Sequence, residues 1–245
     1  KPLAEKYGID TSDEAIRAAV EQHNEVCRLI RAIGDFRKEA NPRVTGYEFH
    51  ILTLVSYVAP KHLIVDKLRE TLEEIKTREP DAADKYRARV VFVGSEVDDV
   101  DVIRLVEESG AYVCADRFCY GSLPGRDEIL LNDDEDVVKQ VCRQVQGRAQ
   151  CPRYWDMAKM TGRRDYVADL AKEYGADGII YEQMKFCDPW AYERMIGTIV
   201  LRDEHGYPVL AVDRPYSIGS SGQMRTRVQA FVESIEIKKI QGGKK

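Results

Sequence analysis

The chain has 245 residues, 44% of them hydrophobic and 32% charged, with a formal net charge of −5. That length suits one large α/β domain or two smaller ones, and the acidic balance argues against a nucleic-acid partner. No apolar run approaches the roughly 20 residues a membrane span needs, no signal-peptide pattern opens the chain, and six cysteines without tight disulfide spacing point to a reducing compartment, the cytoplasm.

Residues 1–80 read as a helical segment. Asp10-Thr11-Ser12 offers caps, and Asp13 and Glu14 suit the positive end of a helix. Ile16, Val20, Val26, Leu29, Ile30 and Ile33 then recur at helical spacing up to Gly34. Thr45-Gly46 opens a second helix that stops before Pro60, and a third runs from about Lys61 to Arg78. His23, His50 and His62 are isolated and read as packing or surface residues.

From Arg89 the pattern changes to strands alternating with helices. Residues 89–94, Arg-Val-Val-Phe-Val-Gly, form a β-branched and aromatic run of the kind buried on both faces of a sheet. A helix over 98–109 and a strand over 111–115 complete a right-handed βαβ unit. A Gly- and Pro-rich loop from Ala115 to Glu128 carries Cys119. Helix is expected over 135–145 and 164–174, with 152–162 as a connection or short helix. A strand over 178–181 leads to the Cys187 loop, and Pro189 suits the start of the next helix. A strand over 208–213, a polar loop and a last helix over 223–236 follow, with a disordered tail from Gln241. The fold class is therefore α/β: parallel sheet flanked by helices, built from Rossmann-like or flavodoxin-like βαβ units over 81–240 and preceded by the helical segment 1–80.

Two features carry candidate chemistry. Cys187 and Cys119 each follow a strand within a few residues, so in a parallel sheet both loops emerge at the same edge, where such folds bind ligands. Thiols there can hold an iron–sulfur cluster or act as nucleophiles near helix N-termini; inert packing is the competing reading for both. Cys27, Cys114 and Cys142 read as packed, and Cys151 beside Pro152 is open. The second feature is the small-residue run Ser220-Ser221-Gly222-Gln223, which leads into a helix and suits either an anion or simple capping. No Walker loop, GxGxxG fingerprint or GxSxG elbow is present in the sequence.

Several stretches together resemble the iron–sulfur subunits of the 2-hydroxyacyl-CoA dehydratase and benzoyl-CoA reductase family. They are RVVFVGSEVDD (89–99), GAYVCADRFCYGSLPG (110–125), YGADGIIYEQMKFCDPW (174–190), GYPVLAVDRPY (206–216) and GQMRTRVQAFVE (222–233). RFCYGSLPG and KFCDPW look closest to the benzoyl-CoA reductase branch. The resemblance makes residues 1–80 the segment that connects to a further N-terminal domain, which supplies other cluster cysteines and is not in this chain; a start at Lys1 rather than Met agrees with that expectation.

The resemblance implies a 4Fe-4S cluster with Cys187 as its C-terminal ligand and Cys119 as a further candidate. It implies a heterodimer with a homologous iron–sulfur subunit, an ATP-hydrolysing iron–sulfur activator fed by ferredoxin, and an acyl-CoA substrate. The implied reaction is radical reduction of benzoyl-CoA to a cyclic diene; radical dehydration of an (R)-2-hydroxyacyl-CoA and a non-catalytic cluster-bearing or docking module are the alternatives. Phe186, Trp190 and Phe118 flank the thiols, and either line an apolar pocket near substrate or cluster or serve as core aromatics. Ser220, Ser221, Gly222 and Gln223 are expected near the cluster or a thioester oxygen.

Overall fold

A computed structural model describes residues 2–82, 84–119, 121, 127–148, 150–154, 156–217 and 221–242. In chain order the elements are α1 (Pro2–Tyr7), α2 (Asp13–Asp35), a 3-10 turn (Phe36–Lys38), α3 (Gly46–Val58), α4 (Lys61–Thr77), β1 (Ala88–Val93), α5 (Asp101–Glu108), β2 (Ala111–Arg117), α6 (Val137–Arg148), α7 (Met157–Glu173), β3 (Gly178–Met184), α8 (Asp188–Asp203), β4 (Val209–Arg214) and α9 (Ser221–Gly242).

Local chemistry sets several boundaries. Ser12 caps α2 by accepting the Ala15 N–H. Thr45 and Glu48 form a reciprocal capping box at the start of α3. The apolar faces of α2, α3 and α4 close on a core of Val26, Ile30, Ile33, Phe49, Ile64, Leu68 and Ile75. Polar contacts anchor this helical layer to the sheet and its flanking helix, among them those of Glu107 and Arg37. Glu107 accepts the free Gly46 and Tyr47 N–H groups at 2.8 and 3.1 Å, placing a carboxylate at the N-terminus of α3. Arg37 pairs with Asp116 of β2 at 3.0 Å while its guanidinium lies 3.6 Å from the centre of the Phe49 ring.

Among the described residues the sheet has four strands, all parallel, in the order β2-β1-β3-β4. One face packs on α5 and α9 through Phe92, Val113, Ile180, Val228 and Val232. The other packs on α7 and α8 through Val91, Ile179, Tyr181, Val167 and Leu201. Burial on both faces explains why these strands read as unbroken apolar runs. The winding reverses between β1 and β3, so their carboxyl ends flank a topological switch point. Between Val90 and Val91 the partner on β2 jumps from Val113 to Ala115; this bulge leaves Cys114 buried, with its thiol donating to the Val90 carbonyl at 3.3 Å.

Four expectations change. Residues 152–174 do not divide at Gly162: α7 is one helix, started by Asp156 accepting the Lys159 N–H at 2.7 Å. The last helix continues through Gln241 to Gly242, its outer turns held by ion pairs of Glu236 with Arg87 and Lys239 with Asp177. β3 continues past Tyr181 to Met184, because Glu182 finds buried polar partners. Cys142 is exposed on the outer side of α6 rather than packed.

Candidate functional site

The switch point is built around Glu182. Its side chain is fully buried, 0% exposed, and accepts from the Ser95 N–H at 3.1 Å and the Ser95 hydroxyl at 2.9 Å. The Ser95 hydroxyl oxygen in turn accepts the Met184 N–H at 2.8 Å. Gly94 precedes Ser95 because a Cβ there would collide with the Glu182 carboxylate. Arg214, at the end of β4, brings Nε to 2.8 Å from Glu182 Oε1, but the pair is misaligned and neither atom makes a hydrogen bond. Burial therefore wins over the attraction, and the Glu182 carboxyl is pushed up to about 7. Arg214 also donates to the carbonyls of Glu96, Pro215 and Tyr216. One polar network thus ties together the loops that leave β1, β3 and β4.

Cys187 emerges next to this network. It is the N-cap residue of α8, with Pro189 in the first turn, as the Asp188-Pro189 sequence predicts. It is partly buried. Burial raises its pKa, and the Trp190 backbone N–H opposes that rise. Phe186, immediately before it, holds a left-handed backbone with φ +70° and is 98% exposed. That conformation turns the ring into solvent, so Phe186 lines no buried pocket in this chain. Trp190 and Phe118 are fully buried. Trp190 packs under the site against Tyr181, with ring centres 6.3 Å apart.

The structure brings three thiols to one region. Cys119, at the carboxyl end of β2, is turned toward the Trp190 side chain; its pKa is pushed up to about 11 by burial, and Trp190 opposes this. Cys151 is near enough to both Cys119 and Cys187 to oppose their ionisation. The donor chemistry suits iron, but among the described residues no three His, Cys, Asp or Glu side chains lie close enough to hold a metal ion. The described side chains therefore form no complete metal-ligand set by themselves.

Of the small-residue run, Ser220 lies outside the described residues. Ser221 opens α9, and Gly222 and Gln223 are exposed in its first turn. Gln223 borders a shallow hollow with Arg214, Met224 and Arg227 at the end of β4. That is the same sheet edge as Cys187, one strand away.

A cavity of about 570 Å³ opens beyond the end of β2, within the size range of small-molecule sites. Arg117, Phe118 and Cys119 form its floor, Tyr166 of α7 and Val145 and Arg148 of α6 line it, and His23 of α2 and Tyr57 of α3 reach it from the helical layer. Burial lowers the His23 pKa, which favours the neutral ring; its Nε2 lies 3.3 Å from Cys27 Sγ. Sequence reasoning missed this cavity. His23, Tyr57, Arg117 and Cys151 come from four separate stretches and match no motif. For Arg117, a charge at the end of an apolar strand was the available signal.

Comparison with known proteins places this geometry. Residues 1–235 match the model of the 2-hydroxyglutaryl-CoA dehydratase D-component family. The chain belongs to that family. It is 26% identical over 230 residues to the beta subunit of (R)-phenyllactyl-CoA dehydratase from Clostridium sporogenes, covering 93% of this chain and 59% of the relative. It is 25% identical over 238 residues to the beta subunit of (R)-2-hydroxyglutaryl-CoA dehydratase from Acidaminococcus fermentans, covering 95% and 61%. It is 23% identical over 235 residues to one of the subunits of benzoyl-CoA reductase from Thauera aromatica, covering 94% and 59%. The chain thus spans about three fifths of the length of these relatives. By name they are subunits of two acyl-CoA dehydratases and of one acyl-CoA reductase. No described helix is long and apolar enough to cross a membrane.

Proposed function

We propose that this chain is an iron–sulfur subunit of an enzyme acting on acyl-CoA thioesters. One observation carries the reading: in a chain of this family, Cys187 stands at the N-cap position of α8 on the switch-point edge of a parallel sheet, and Cys119 packs against the same buried cluster. In this reading Cys187 supplies one ligand of a 4Fe-4S cluster and Cys119 is a second candidate. The other ligands, a homologous partner subunit and a ferredoxin-fed, ATP-hydrolysing activator come from outside the chain. When bound, the cluster would supply low-potential electrons at this edge. The chain's own residues do the rest: the Trp190 N–H and the start of α8 favour negative charge on the Cys187 sulfur, the Glu182 network holds the surrounding loops, and the buried aromatics keep water from the sheet edge.

The finer reading is ATP-dependent, dearomatising reduction of benzoyl-CoA, supported by the RFCYGSLPG and KFCDPW motifs. Radical dehydration of a 2-hydroxyacyl-CoA is the second reading, supported by the dehydratase beta subunits among the relatives, whose identities of 22–26% bracket the 23% of the reductase subunit. The test is anaerobic isolation of the complete protein with its partner, followed by iron and sulfide determination and product analysis with benzoyl-CoA and with a 2-hydroxyacyl-CoA. Iron loading that falls in Cys187→Ser is expected. Colourless, iron-free protein, or full iron in Cys187→Ser, would overturn the assignment.

A further inference from the structure

The outer face of α8 is apolar where a helix lying on a sheet usually shows water a charged one. Trp190, Glu193, Gly197 and Leu201 turn inward and are buried. The opposite side carries Asp188, Tyr192, Met195, Ile199 and Arg202, all exposed. Tyr192 is 69% exposed, Met195 57% and Ile199 49%. α7 covers the same face of the sheet, yet it presents Thr161, Asp165, Asp169 and Lys172 to solvent. Position in the fold therefore does not account for the apolar stripe on α8.

The five residues are spaced by four, three, four and three positions, the alternation that seats one helix against another. The stripe is also matched to itself. Met195 is its centre, with Tyr192 about one turn before and Ile199 about one turn after. Asp188 lies in the first turn of the helix and Arg202 in the last. A second α8 laid antiparallel about a two-fold axis at Met195 sets each Tyr192 beside Ile199 of the other copy, and each Asp188 beside Arg202. A parallel copy would instead set Asp188 against Asp188 and Arg202 against Arg202. Arg202 already holds Asp203 at 2.7 Å, and its five donors can serve a second carboxylate as well. Antiparallel helix dipoles favour the same arrangement. One patch used twice is the isologous contact of a two-fold dimer.

We propose that the outer face of α8 docks a second copy of this chain, antiparallel, across a two-fold axis near Met195. The proposal does not rest on the acyl-CoA or cluster reading: neither iron nor substrate takes part, and the occupant is another copy of this chain rather than the homologous subunit of that reading. α8 has 16 residues and is about 24 Å long, so the contact belongs to the small, concentration-dependent class.

The test counts the copies of this chain in the complete protein, isolated with whatever subunit accompanies it, by native mass spectrometry and sedimentation equilibrium. Two copies per particle are expected, with a dissociation constant on the order of 10 μM. Met195→Glu brings like charges together at the axis and should weaken association at least about tenfold. Asp188→Lys and Arg202→Glu, each alone, also set like charges together and should weaken it roughly three- to tenfold. Combined, they should return it to within about threefold of the parent, a restoration that only an antiparallel second copy gives. Circular dichroism checks the fold of each variant; should Asp188→Lys fray the start of α8, Met195→Glu and Arg202→Glu carry the test. One copy per particle at about 100 μM, an undiminished dimer in Met195→Glu, or a well-folded double variant no tighter than the single ones would overturn the proposal. So would a different protein that leaves in Met195→Glu while this chain is single throughout.

Discussion

Glu193→Gln gives the sharpest test of how charge is arranged under the candidate site. Glu193 is 4% exposed on α8 and accepts from Arg163 at 3.1 Å and from Arg164 at 3.0 and 3.4 Å, both on α7. Glutamine keeps the shape and one acceptor oxygen but removes the negative charge. Arg163, Arg164 and the nearby Arg117 would then be three buried cations with no carboxylate between them. Removing one partner of a buried pair costs about 3–5 kcal/mol, because the remaining charge stays desolvated. With about 2.1 cal/mol/K per residue, the unfolding entropy of 245 residues is roughly 0.5 kcal/mol/K. The melting midpoint should therefore fall by roughly 6–10 °C. Thermal melts and urea titrations followed by circular dichroism measure this. Glu70→Gln, at the exposed ion pair with Lys67, is the control and should leave the midpoint where it is. Adding Arg164→Met to Glu193→Gln should restore part of the loss by removing one unpaired cation. A loss below about 1 kcal/mol, or a further loss on adding Arg164→Met, would refute the reasoning.

Two further outcomes follow from the site. Glu182 has a folded-state pKa of about 7 against an ordinary value of 4.5. The folded state thus holds the proton more tightly, and stability is fully present below pH 4.5 and falls as pH rises to 7. The drop is at most about 3 kcal/mol; Glu182→Gln should flatten the profile between those values, and an unchanged slope would assign the pH dependence elsewhere. Phe186 stands in the left-handed region with an exposed ring, so Phe186→Gly should relieve strain and raise stability by about 0.5–1 kcal/mol in urea titrations; destabilisation would show that the ring makes contacts its exposure does not suggest.

The strands were legible because both of their faces are buried, so each one writes its burial directly into the sequence as an apolar run. Helix starts at Ser12 and Thr45 were legible because capping acts over three or four residues, and the start of α8 because Pro189 suits a first helical turn. Gly162 misled because a glycine lowers helix propensity by only about 1 kcal/mol, which is too little to end a helix that buries Arg163, Arg164, Val167 and Leu170. The Cys187 loop was legible for the same local reason: a strand, a thiol and an Asp-Pro helix start follow one another without a break.

By itself the sequence determined the α/β class, the strand segments, most of the helices and the position of Cys187 at a strand-to-helix junction. Only the tertiary structure decided which polar groups meet. Glu182 joins Ser95 across 87 residues, Arg37 joins Asp116 across 79, and Arg163 joins Glu193 across 30. The cavity likewise gathers His23, Tyr57, Arg117 and Cys151 from stretches that carry no shared pattern. The physical reason is one of range. Propensity and capping act within a turn or a strand, whereas the cost of burying a charge depends on what lies opposite it in space, and that is set only when the chain has folded.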